Sequence, residues 1–119
     1  MPTLGVALAE RRLFVFGYET PKQMAANEAN GWDDEDSAAL FIDADDVRTA
    51  EQWGQAVAQA FFAWLHGDSN ASWRDRRYAS WIEPDPWSSY DAAQLAAIPK
   101  VSCGEYPDWQ SLMGWKDNA

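Results

Sequence analysis

Cysteine, histidine and basic side chains are all scarce in this chain. Its 119 residues include one cysteine, Cys103, and one histidine, His66. A single cysteine excludes an internal disulfide and a Cys-based zinc cluster. A single histidine leaves one imidazole to serve any Ser or Cys nucleophile. Nine Lys and Arg stand against 19 Asp and Glu, a formal net charge of −10. That field opposes the approach of phosphates and argues against direct nucleic-acid binding. No apolar run reaches the roughly 18–20 residues of a membrane span. Leu4 to Ala9 precede Arg11 and Arg12, the reverse of the charge order in a secretory signal. These absences lead us to expect a reduced, cytoplasmic location with no membrane association.

Against the shortage of bases stand eight Trp, four Tyr and five Phe, with 47% of the residues apolar. A disordered acidic tail would lack such aromatics, so the chain folds, and 119 residues make one domain. Leu13 to Tyr18 form a continuous apolar run, as in a strand covered on both faces. Thr20, Pro21 and Gln23 give a capping box with proline at the first helical position, predicting a helix over roughly 21–29 that Gly31 closes. Ala38 to Ile42 read as a second buried strand. A long helix is predicted over about 50–66, with Thr49 and Gln52 as its capping box and Gly67 as its stop. Trp53, Val57, Phe61, Trp64 and Leu65 share its apolar stripe. Residues 77–82 alternate as a third, half-exposed strand before Pro84 and Pro86. A short helix over about 90–97 capped by Ser89, an edge strand from Lys100 to Cys103 and a last helical turn near Trp109 complete the pattern. The expected fold is a small α/β or α+β sandwich, a three- to four-stranded sheet packed against one long helix with short helices beside it.

No catalytic set stands out. His66 ends the long helix, where interaction with the helix dipole accounts for it, and Cys103 follows no nucleophile elbow. Leu40 to Val47, a hydrophobic strand ending in Asp43-Ala44-Asp45, resembles the first motif of the haloacid dehalogenase-like phosphatases. That resemblance implies Asp43 as nucleophile, Asp45 as acid/base and a magnesium ion. The later lysine and acidic motifs of that family have no counterpart, and helix-leading acids at Asp45 and Asp46 account for the pattern. Asp33 to Asp36 lack the alternating spacing of an EF-hand loop. Trp73 to Tyr78 hold three arginines and two aromatics, and those arginines are expected to pair with the chain's own acids. The expectation is therefore a non-enzyme without metal or cofactor.

What remains is the placement of the acids. Between Glu28 and Glu51, nine acids face only Arg48, so this segment carries −8 of the chain's −10. Charge concentrated in this way steers a cationic partner. Trp32 precedes Asp33, Asp34, Glu35 and Asp36 and is the kind of residue that anchors an interface. Asp43, Asp45 and Asp46 are expected to extend the patch. Phe62 projects into the polar arc of the long helix, which calls for a second packing contact or a binding contact, and it joins the candidate partner-binding set. A compact, acidic, Trp-rich domain with no catalytic set resembles the bacterial immunity proteins of polymorphic toxin systems. The resemblance implies a protein inhibitor that covers a basic toxin. The alternatives are a DNA mimic that occupies a nucleic-acid-binding protein and a small hydrolase using Asp43 and Asp45.

Overall fold

The structure, a computed structural model, describes residues 10–114. The apolar run from Leu4 to Ala9 lies outside the described residues. Four strands form one mixed sheet in the order β3-β1-β2-β4. The long strands β1 (Glu10–Tyr18) and β2 (Asp36–Ala44) are antiparallel neighbours at the centre. The short strands β3 (Ser80–Glu83) and β4 (Lys100–Ser102) lie at the edges, antiparallel to β1 and parallel to β2 respectively. The fold is α+β, within the sandwich expected from sequence, and the long helix lies on one face.

Helix α1 (Pro21–Asn30) starts on the predicted cap, with Thr20 and Gln23 bonded reciprocally. Helix α2 (Val47–His66) begins earlier than its sequence suggests. Asp46 is its N-cap, the side chain accepting the Thr49 N–H at 2.7 Å, so Thr49 lies inside the first turn and is not the cap. Both residues have capping chemistry, and nothing in Val47 or Arg48 breaks a helix, so the earlier cap prevails. The third strand starts at Ser80 because Trp73, Arg74, Asp75 and Arg76 turn in a tight helical loop that Arg77 closes at φ 61°. Past β3, the one-turn helix α3 (Pro86–Ser89) is followed by α4 (Ala92–Ala97). Asp91, rather than Ser89, caps α4 in a capping box with Gln94.

Strand alternation sends Phe14, Phe16, Tyr18, Leu40 and Ile42 to the face covered by α2. There Phe61 meets Phe16 and Tyr18 edge-on, with ring centroids 5.9 and 5.0 Å apart. Gly54 has a steric reason: a Cβ there would overlap the Phe14 ring, so its absence lets α2 lie close to β1. Trp73 closes this core, donating from Nε1 to the Gly17 carbonyl at 2.9 Å. Helix α5 (Trp109–Gly114) inserts Leu112 into the same core. Trp64, expected at the heart of the stripe, is 40% exposed and lies along the surface on Phe61 and Trp109. The opposite face carries Leu13, Val15 and Ala39, covered by Leu95 and Ile98 from α4 and its exit.

Candidate functional site

The strand-to-helix junction after β1 builds a polar hub around Glu19. Tyr18 and Thr20 fix the backbone on either side, so the Glu19 side chain turns inward and is only 8% exposed. Its Oε1 accepts from the Tyr78 hydroxyl at 2.6 Å and from Arg76 Nη2 at 3.1 Å. Its Oε2 accepts from Asn27 Nδ2 at 2.6 Å. Burial alone would push this carboxyl up, but the bonds from Tyr78, Asn27 and Arg76 outweigh it and hold the group below the usual glutamate range. Burial, followed by the hydrogen bond to the Glu19 carboxylate, drives the Tyr78 phenol up to about 12. His66 at the end of α2 lies with Nε2 2.8 Å from the Glu19 carbonyl oxygen, so this nitrogen donates. The lone histidine thus ties α2 to the junction.

Asn27 extends the hub into the acidic loop. Its Nδ2 also donates to the Asp34 carbonyl at 2.7 Å, and its Oδ1 accepts the Asp34 N–H at 3.1 Å. Gly31 ends α1 at φ 68°, its N–H bonded to the Asn27 carbonyl. The chain from Trp32 to Asp36 is therefore held through its backbone at Asp34, and the Glu35 carboxylate lies back over Gly17 of β1. Trp32 is 54% exposed, and Asp33, Asp34, Glu35 and Asp36 are all exposed. Among the described residues, none of these four carboxylates forms a salt bridge. A cleft of about 340 Å³ separates the loop from Arg76, Arg77 and Tyr78. Arg76 does pair with one of the chain's own acids, but with Glu19 and not with the neighbouring run.

Glu28 lies beside this loop on the same cleft, but Asp43, Asp45 and Asp46 do not extend the patch. Asp36 opens β2 and Asp43 stands near its far end. At about 3.3 Å per residue the two are roughly 23 Å apart. The segment read as one patch is thus divided between opposite ends of the sheet. At the far end, Arg11 grips Asp43 in a fork, with Nε–Oδ1 at 3.0 Å and Nη2–Oδ2 at 3.3 Å. The Arg11 hydrogen bonds hold the Asp43 carboxyl below its ordinary value. The Thr49 N–H does the same for Asp46, which caps α2. Asp45 is exposed between them. Phe62 is only 2% exposed, packed on His66 and Tyr78 with ring centroids at 4.3 and 5.8 Å. It leaves almost no surface for a partner: His66 and Tyr78 close over it, and its role is packing.

Cys103 is exposed next to Asp45, Asp46 and Asp43, and partial burial followed by these carboxylates raises its thiol above the ordinary value. That is the opposite of the shift that makes a cysteine nucleophilic. Among the described residues, no group of three or more His, Cys, Asp or Glu is placed to hold a metal ion, and no helix is long and apolar enough to cross a membrane. Sequence reasoning overlooks Glu19, Asn27 and Tyr78, which lie 8 to 59 positions apart in their pairings. The one local signal was the capping box directly after Glu19, which marks a fixed corner at the end of a buried strand. Comparison with family models, curated proteins and solved structures finds no match to this chain.

Proposed function

We propose that this chain is a binding protein, not a catalyst, and that it engages a basic protein partner in the cytoplasm through the Trp32–Asp36 loop. In this reading it acts as an inhibitor of the immunity-protein kind, covering a cationic toxin. The observation that supports it is a half-exposed tryptophan followed by four exposed carboxylates, none paired with a described cation, on a loop anchored through Asn27. An anchored backbone lowers the ordering cost of binding, and a tryptophan within a charged rim is a common interface anchor. A compact run around Trp32 favours an inhibitor over a DNA mimic, whose carboxylates would follow a phosphate-spaced ridge.

The test is kinetic. The chain is co-expressed with the product of the adjoining reading frame, and association is measured between about 50 and 200 mM salt, where screening of exposed charges changes strongly. A basic partner should form a stable complex whose association rate falls with salt. Neutralising Asp33, Asp34 and Asp36 to Asn should slow association and flatten that dependence. Trp32→Ala should instead speed dissociation, because an anchor's contacts form only after encounter. An association rate at low salt that neutralisation leaves unchanged would remove the acidic loop from the interface.

A further inference from the structure

The second face of the sheet carries a feature that the acidic loop does not explain. Helix α4 has six residues, about 9 Å of cover for strands about 30 Å long. It seals Leu13, Val15 and Ala39 but leaves Phe41 half-buried. The result is a groove of about 440 Å³ between the sheet and α3–α4. Phe41 and Leu95 lie along it, with Ala96 and Trp87 beside them. Trp87 is 79% exposed, the most exposed large apolar side chain among the described residues. Size and apolar lining match those of small-ligand sites, which add a few polar groups to fix orientation.

Here those groups have one sign. In a chain of net charge −10, the charged side chains that line the groove are Arg11 and Lys100, both cationic. Arg11 is already forked onto Asp43. Lys100 is paired with no described carboxylate. Its ammonium donates to the Ile98 carbonyl at 3.0 Å and lies 5.4 Å from the Phe41 ring centroid. That leaves donor capacity on an ammonium held at the edge of an apolar surface.

We propose that this groove binds a small amphipathic carboxylate, an alkyl or aryl acid. Its apolar body lies along Phe41 and Leu95 under Trp87, and its head group meets Lys100. A neutral analogue forgoes the charge-assisted bond, and a cationic one meets repulsion from Lys100 and Arg11. The site is independent of the acidic loop and stands or falls separately from it.

The test uses decanoate, decanol and decylamine below their micellar concentrations. Binding is followed through the indole N–H signal of Trp87, assigned by its loss in Trp87→Phe. Decanoate is expected to shift that signal and to bind roughly tenfold or more tightly than decanol, the ratio that one charge-assisted hydrogen bond supplies. Lys100→Gln should bring the two ligands level. Ala96→Phe, a change at an exposed helix position that fills the groove, should abolish binding with the circular dichroism unchanged. Equal affinity for decanoate and decanol overturns the anion preference. Binding that survives Ala96→Phe overturns the location. No shift of the Trp87 signal with decanoate overturns the proposal, including the case in which a peptide ending in a free Phe carboxylate binds instead.

Discussion

On one side of the sheet, a helix of twenty residues lays Val57, Ala58 and Phe61 over strands that contribute Phe14, Phe16, Leu40 and Ile42, and every one of these side chains is buried. On the other side, the same strands meet a helix of six residues, and their cover ends before Phe41. Both faces are apolar by sequence, because both central strands are near-continuous hydrophobic runs. What separates them is the length of the element laid across each. A long helix can turn an apolar strand face into core, whereas a short one leaves part of it as surface available to a ligand.

The sharpest way to break this asymmetry is to remove a ring from the first face. Phe61→Ala should cost about 3–5 kcal/mol, a large fraction of a small domain's stability, measured by urea unfolding. Trp64→Ala should cost clearly less than that, because Trp64 is a surface member of the same helix. Next is the hub that fastens α2 and the loop after β1. Glu19→Gln replaces a charged acceptor of three hydrogen bonds and should cost roughly 1.5–3 kcal/mol at neutral pH.

The same group sets a pH dependence. The folded-state value of Glu19 is lowered, so its contribution is fully present above the unfolded glutamate value near 4.3. It is lost as pH falls through the lower folded value. The acid limb of the stability profile should therefore be shallower in Glu19→Gln than in the parent chain. Gly54→Ala pushes a methyl into the Phe14 ring and should destabilise by about 1–3 kcal/mol through overpacking. At the small end, Trp87→Ala on the second face should change stability by no more than about 0.5 kcal/mol. A large loss there would mean that Trp87 is a core residue and that the two faces are alike.

How far the sequence could be read depended on the range of the interactions involved. The strand at Leu13–Tyr18 and the box of Thr20 and Gln23 were legible because their determinants lie within a few residues of one another. Helix α2 was legible in its stripe and its Gly67 stop, but its start was not, since Asp46 and Thr49 are both competent caps. Trp64 and Phe62 show where periodicity stops being informative. It places a side chain on an arc, and whether that arc is wet depends on what else arrives there. Phe62 is buried because Tyr78 and His66 close over it, whereas Trp64 lies against Trp109 and Phe61 and keeps 40% of its surface exposed. The acidic segment misled in the same way. Nine acids in 24 residues look like one patch in a line of text, yet an extended strand carries Asp36 and Asp43 to opposite ends of the sheet.

The sequence by itself determined that the chain folds, that two central strands are apolar on both faces, and that a long amphipathic helix covers one of those faces. Those features follow from composition, from alternation and from caps, all of them local. The tertiary structure alone decided which carboxylates remain without a described cationic partner, where Glu19 finds three donors, and that the second face is left partly open. Pairing and cover are properties of segments brought together from distant parts of the chain, so no local pattern encodes them.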